Sequence, residues 1–451
     1  MRRNRESDFS VLFEKSRQAV VELPKTCSKI KRSRETMQKK EDMKLFLALT
    51  VWMLIPSIYL AVRMHIVTVN DVNVNILGQM EWFDLIDEIL VTTLITPLYV
   101  LLKERKASVN GFAFCVSCGI YTVFSLVVSV YVGSIAEFMH AEYAEQFLAL
   151  QLISMVVSFT GTFCILLFTM NNAYRTVVVL TVFKFVLAGI WDFILIGRYG
   201  DLGAVYSDII TNGMVSVVAL ACAVRGGLIR PGRPDRAFAV SWARIGSFSG
   251  IQIFLDNFIY AVMVCRMVNA VSESGNYWVA NNFIWGWMLI PVSCFVQIIQ
   301  KNRLEKITWK NSMQYILLFC SLWFVTMPFW KSFLTYVMGV KDAADVLQII
   351  RFMVPFYVCY AVAACLDGWF VSYGKTVYIL INSAVVNIGY YGIMYVLFRR
   401  NAFPVNMVFI EILFGIGMVV HLAVSLVLYM NGMRKRFEGY IIMDVRCVQK
   451  L

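Results

Sequence analysis

A chain of 451 residues that is 59% hydrophobic, 14% aromatic and only 16% charged falls outside the soluble globular class, in which about a quarter of residues are charged. Its formal net charge of +12 does not mark a nucleic-acid binder, because no basic, aromatic-interleaved soluble module accompanies it. No nucleophile, metal-ligand or phosphate-loop constellation appears in the sequence, which argues against an enzyme.

In chain order, residues 1–44 form a basic tail. Its Phe9, Val11, Leu12, Val20 and Leu23 before Pro24 fit either a short interfacial helix or a solvated disordered segment. Twelve apolar runs follow, near 45–72, 82–102, 112–134, 146–170, 176–197, 203–223, 247–271, 278–299, 313–338, 346–372, 376–398 and 405–430. Each is about the 20 residues needed to cross a bilayer, and none has the period-two alternation of a barrel strand. The expected fold is therefore all-α and polytopic. The first run starts too late and is too long for a cleavable signal, and is expected to act as a retained anchor.

Residues 225–246 form a long basic loop that splits the chain into an N-lobe (45–224) and a C-lobe (247–430), and 431–451 form a second tail. Of the 41 Lys and Arg residues, 13 lie in the N-terminal tail, 19 in the loops and tail sharing its side, and four (Arg198, Lys341, Arg399, Arg400) in the opposite loops. Both termini are expected to be cytoplasmic by the positive-inside rule, with the basic side drawn to anionic lipid. The spacing of Cys115 and Cys118 is that of a metal or redox pair, but an apolar run without His nearby favours plain packing.

Charged residues inside apolar runs are costly and mark candidate sites. Pro56 in the first run lacks an N–H and crowds the carbonyl of Trp52, which predicts a kink. In the second run only Ile89 to Leu102 is uninterrupted, about 21 Å of helix, so Asp84, Asp87 and Glu88 are predicted to be drawn inward on one face. That strip suits cationic substrates, or is a water-bathed helix end. Arg63 and His65 are candidate ion-pair partners for it. Asp192 in the fifth run either faces a polar interior or snorkels, with Lys184 two turns earlier as its candidate partner. Ser207, Asp208, Thr211 and Asn212 stud the sixth run. His421 and Glu411 read as satisfied core polar groups.

The two halves look duplicated: Tyr174-Arg175-Thr176 joins runs four and five, and Gly374-Lys375-Thr376 joins runs ten and eleven, 200 residues later. A parallel 6+6 repeat is the mark of a transporter with its site between lobes. With Pro56 in MLIPSIY followed by Asp71 in TVNDVNVNILG, GIWDFILIG followed by GDLGAVYSDIITN, and DGWFVSYGKTVYILINSAVVNIGYYGI, the chain resembles the multidrug and toxic compound extrusion (MATE) family of the MOP superfamily over residues 45–430. That resemblance implies twelve transmembrane helices in two six-helix lobes, with Pro56 as helix kink and Asp71, Asp192 and Thr211 as cation-coupling residues taking Na+ or H+. Asp84, Asp87, Glu88, Asp256, Tyr360 and Asp367 are the expected substrate-cavity residues. The family's Asn one turn before the fifth-helix Asp is Ala188 here; Asp256 stands near one subgroup's seventh-helix Glu, and Tyr360, with Asp367 two turns on, near that subgroup's tenth-helix acid.

Asp71 and Asp192 are expected to meet inside the N-lobe as a carboxylate pair whose repulsion a proton or Na+ relieves. The function so implied is an ion-coupled antiporter in the plasma membrane, exporting small amphipathic, often cationic, organic compounds, as a monomer and with no cofactor. A flippase for a lipid-linked saccharide or cell-wall precursor is the alternative.

Overall fold

The computed structural model describes residues 42–79, 81–101, 107–141, 145–171, 173–230, 232, 236–301, 309–373 and 375–432. The basic tails, apart from 42–44 and 431–432, and loop residues 231 and 233–235 lie outside the described residues. Within them the chain is helical without strands. The first half comprises α1 (Asp42–Val69), α2 (Val74–Gln79), α3 (Glu81–Leu94), α4 (Leu98–Leu101), α5 (Ala107–Val130), α6 (Val132–Phe138), α7 (Glu145–Met170), α8 (Tyr174–Tyr199) and α9 (Asp201–Arg225). The second comprises α10 (Arg236–Tyr260), α11 (Arg266–Ala270), α12 (Ser274–Phe283), α13 (Ile290–Lys301), α14 (Trp309–Thr326), α15 (Trp330–Ser332), α16 (Ala343–Ser372), α17 (Thr376–Ala384), α18 (Gly392–Arg399) and α19 (Met407–Gly432).

Ten of the described helices are long and apolar enough to cross a bilayer, and an eleventh crossing is the pair Ser274–Met288 and Ile290–Gln300, bent by 52°. The protein is an integral multi-pass membrane protein. Against the twelve expected, ten or eleven fall within the described residues. The run expected at 82–102 is a 14-residue helix, α3, broken before the four-residue α4. Pro97 lies in that break; without an N–H it cannot continue the ladder, and it disfavours helix at the residue before it.

Each half has its own large core. Phe83, Leu98, Tyr121, Leu148, Phe159 and Phe163 belong to the first; Phe283, Trp323, Leu334, Ile350, Tyr357 and Trp369 belong to the second. The first long helix of each half also crosses over. From α1, Ala61 and Met64 are buried in the second core while Val67 is buried in the first. From α10, Phe238 and Trp242 are buried in the first core, and Trp242 Nε1 donates to Leu94 O of α3 at 2.9 Å. Large side chains such as Val130, Phe193, Val217, Leu317 and Val325 remain exposed, as expected of surfaces whose solvent is lipid.

The α10–α3 contact is backbone-close because Gly246 and Gly250 are spaced as GxxxG. A Cβ on Gly246 would lie 2.4 Å from Thr93 O, and one on Gly250 2.3 Å from Thr93 Oγ1. This packing fixes the α3 acids against the second half. Four π turns, at Ala261–Cys265, Ile284–Met288, Phe333–Val337 and Val385–Tyr391, all fall in the second half among the described residues; such turns re-aim side chains and recur at functional sites.

The face opposite the termini is stapled between halves. Gly275 N donates to Asn75 Oδ1 at 2.7 Å, Asn269 Nδ2 to Met139 O at 2.9 Å and Arg266 Nε to Phe138 O at 2.6 Å. Lys341 forms an ion pair with Asp71, and these hydrogen-bonded charges hold the Asp71 carboxyl below its ordinary range. A depressed acid contributes stability above its unfolded pKa and loses it as pH falls through its folded one, so the pair is intact at neutral pH. Being exposed, it adds little.

Gly246→Val and Gly250→Val should each lower the melting temperature of the detergent-solubilised protein by several degrees, since overpacking of this kind costs about 1–3 kcal/mol. Ala at Gly189, where an added Cβ meets nothing within 4 Å, should not.

Candidate functional site

The α8–α9 hairpin turns at Gly200, whose φ of +57° is a conformation glycine adopts without steric cost. Just beyond it, a Cβ on Gly203 would meet Leu195 O at 2.2 Å, so the two helices leave the turn in contact. Asp192 and Asp208 stand eight residues before and after Gly200, about 12 Å into the bundle at 1.5 Å per residue. Across from them, α1 presents Tyr59 and Arg63, one turn apart.

These four side chains form one cluster. Arg63 grips Asp208 bidentately, Nη1 to Oδ1 at 2.9 Å and Nη2 to Oδ2 at 3.1 Å, and Nη2 also donates to Ala204 O at 3.0 Å. Its Nε lies 3.7 Å from Asp192 Oδ2, with side-chain exposures of 14% for Arg63 and 0% for Asp192. The same Oδ2 accepts the Tyr59 hydroxyl at 2.8 Å, and the Tyr59 ring packs on Phe185. Asp192 Oδ1 and Thr211 Oγ1 are buried without a hydrogen bond.

The expected pairing of Asp71 with Asp192 is not formed. Asp71 follows the end of α1 with a φ of 53°, is 82% exposed and pairs with Lys341. A chain leaving the helix at Val69 cannot fold that carboxylate back into the bundle. Lys184 is likewise not the ion-pair partner of Asp192; it lies within electrostatic reach of Asp208 and Asp87. Arg63 pairs with the α8–α9 acids rather than with the α3 strip, and His65 packs at Gly339. Pro56 sits in a helix that runs unbroken from Asp42 to Val69.

The α3 acids meet neighbouring helices. Asp87 accepts the Tyr121 hydroxyl, Glu88 accepts Asn257 Nδ2 of α10 at 2.8 Å, and Asp84 lies within reach of Asp87, Asp208 and Arg63. Asp84 and Glu88 are exposed. Glu88 is also within reach of Tyr360, which belongs to an aromatic group with Trp285, at 5.2 Å between ring centroids, and Tyr357. A cavity of about 560 Å3 lies between α1 and the α12–α13 arm, lined by Trp52, Met53, Pro56, Ser57, Trp285 and Gln297 among others.

In the second half Asp256 accepts Ser383 Oγ and Asn387 Nδ2, each at 2.6 Å. Asp367 meets His421 Nε2 at 2.8 Å and accepts Ser425 Oγ at 3.2 Å. His421 is therefore satisfied, as expected, and its partner is an acid. Sequence reading assigned no role to Tyr59, Asp208, Asn257, Ser383 and Asn387. Tyr59 and Arg63 at i and i+4, with an arginine inside an apolar run, were the available signal.

A hard cation needs a shell of oxygens. Both oxygens of Asp208 and the Ala204 carbonyl are already committed to Arg63, Asp192 Oδ2 is held by Tyr59, and Asp71 is elsewhere. Among the described residues no group of three or more His, Cys, Asp or Glu side chains could hold a metal ion. The set expected to take Na+ does not fit it.

No protein-family model matches the chain, and no curated protein matches it by sequence. Solved structures do match by shape. The inward-facing conformation of a multidrug resistance MATE family transporter of the MOP superfamily aligns with a TM-score of 0.66 at 15% identity, covering 86% of this chain and 97% of that one. The fold is that of a MATE transporter. An outward-facing MATE structure aligns at 0.60, again at 15% identity, over 86% and 95% of the two chains. A MOP superfamily transporter from Pyrococcus furiosus, described as having a binding pocket of reversed polarity, aligns at 0.57 and 15% identity, over 86% and 95%.

Tyr59→Phe removes the 2.8 Å hydrogen bond that Asp192 Oδ2 accepts and should lower stability by about 1–3 kcal/mol, read as a shift in the thermal melt. Asp71→Asn should melt like the parent.

Proposed function

We propose that this chain is a secondary active antiporter that carries small amphipathic, cationic organic compounds out across the plasma membrane in exchange for protons, by alternating access of its two MATE-like lobes. The carrying observation is the acidic strip of α3. Asp84 and Glu88 are exposed on a helix packed against α10, and Glu88 is bonded to Asn257 of the opposite half, so the strip lies where the lobes meet. An organic cation there gains charge from the strip and apolar or π contact from Trp285 and Tyr360, a combination suited to an amphipathic molecule.

Asp192 and Thr211 are the expected coupling residues that lie in the interior. The Asp192–Asp208–Arg63 cluster holds two acids and one base, hence one net negative charge when all are ionised. A proton needs no ligand shell, and Asp192 Oδ1 makes no hydrogen bond. Neutralising that charge alters what the hairpin and α1 cost to separate, which is how ion entry biases one lobe arrangement over another. With both termini cytoplasmic, as the Lys and Arg distribution supports, the stapled face is the outer one. The flippase reading draws less support: a phosphate-bearing headgroup calls for unpaired arginines, and Arg63 is committed to its own acids.

Proteoliposomes with an imposed pH gradient and a fluorescent organic cation test this. Asp192→Asn should abolish gradient-driven transport while Asp71→Asn transports like the parent. Asp84→Asn with Glu88→Gln should raise KM for the cation about tenfold, one unit of 1.4 kcal/mol. A parent protein that moves the dye equally with and without the gradient would remove the antiport reading.

A further inference from the structure

Of the residues expected to seat Na+ in the first lobe, Asp192 faces a guanidinium instead. We propose that Arg63 is the resident cation of that lobe, holding the place between Asp208 and Asp192 that a metal ion would take, so that the native cluster is closed to Na+ and opens to it only when Arg63 is removed. The binding claim stands without the transporter reading; only its consequence for coupling rests on that reading.

Three observations carry it. First, the guanidinium has the valence and the reach. It contacts both oxygens of Asp208, the Ala204 carbonyl at the start of the same turn, and Tyr59 Oη at 3.3 Å, and its Nε faces Asp192 at 3.7 Å. A fixed planar fork of donors matches a carboxylate and a nearby carbonyl in a way a spherical ion does not. Second, it consumes the ligands. Of the cluster's carboxylate oxygens, Asp192 Oδ1 is buried with no hydrogen bond, and one oxygen does not replace the hydration of a hard cation. Third, it repels a competitor. A second positive charge brought to Asp192 would lie a few ångströms from a guanidinium that is 14% exposed, a separation at which like charges near a protein surface cost at least about a hundredfold in affinity.

A tethered cation differs from a free one in what it can do. Na+ can leave toward either side of the membrane, whereas Arg63 leaves its acids only if α1 moves, two turns beyond Pro56. The arginine is therefore a positioning residue that fastens α1 to the α8–α9 hairpin.

The test reads ion binding rather than transport. Purified protein is melted in NaCl against choline chloride at fixed ionic strength, and 22Na+ binding is measured in parallel. The parent and Arg63→Lys should show no Na+-specific stabilisation. Arg63→Gln and Arg63→Ala should gain one, with Na+ bound at least about a hundredfold tighter than in the parent, and adding Asp192→Asn to Arg63→Gln should abolish it. Na+-specific stabilisation of the parent that Asp192→Asn removes would overturn the proposal. So would Arg63→Gln and Arg63→Ala proteins that melt cooperatively yet remain indifferent to Na+. The parent measurement decides even if a variant fails to fold, and a protein that transports nothing can still pass or fail it.

Discussion

The guanidinium of Arg63 between Asp208 and Asp192 is the interaction on which the first lobe depends. Two carboxylates in the bundle interior on one helical hairpin are tolerable only with a cation among them, and α1 supplies it. Breaking a buried pair by removing one partner is far more costly than never having it, because the remaining charge stays uncompensated. That asymmetry fixes α1 against α8 and α9 at one point along its length. Nearer the termini the same helix leans the other way: Phe46 stacks on Phe319 and Thr50 Oγ1 meets Cys294 Sγ at 3.6 Å. One helix thus belongs to both halves, with Pro56 between its two allegiances.

The second lobe repeats the plan with different chemistry. Its first helix, α10, crosses to α3 as α1 crosses to the α12–α13 arm. Where α1 brings a cation to two acids, α10 brings an acid, Asp256, to the neutral donors Ser383 and Asn387. Asn387 lies in the Val385–Tyr391 π turn, whose extra residue rotates the helix beyond it and aims that side chain. Asp367 has the histidine His421 opposite it. The first lobe is held by a permanent charge, and the second by groups that are neutral or whose charge depends on protonation.

Between the lobes the surfaces are unlike. One side is acidic, from the α3 strip, and the other is aromatic, from Trp285, Tyr357 and Tyr360, with a cavity of about 560 Å3 opening beside α1. Staples on the face opposite the termini, among them Asn75 to Gly275 and Met139 to Asn269, close that end.

The sequence alone determined the solvent and the architecture. Continuous apolar runs of bilayer length leave no choice but helices, since lipid satisfies no backbone group. The 6+6 pattern and the sequence motifs containing Pro56, Asp192 and Lys375 carried the MATE resemblance that the fold bears out. The inward placement of Asp192 was legible too, because charge inside an apolar run must find a polar interior. What only the tertiary structure decided is which charge meets which. Asp71 and Asp192 suggested a pair by their motifs, but the end of α1 puts the first at the surface, while the cation that answers Asp192 comes from a residue 129 positions away. The break at Pro97 was hidden for a similar reason, since hydropathy counts apolar residues and is blind to a missing N–H. Partner choice depends on the rotation and depth of whole helices, and those are set by close contacts such as Gly250 on Thr93 that no local pattern encodes.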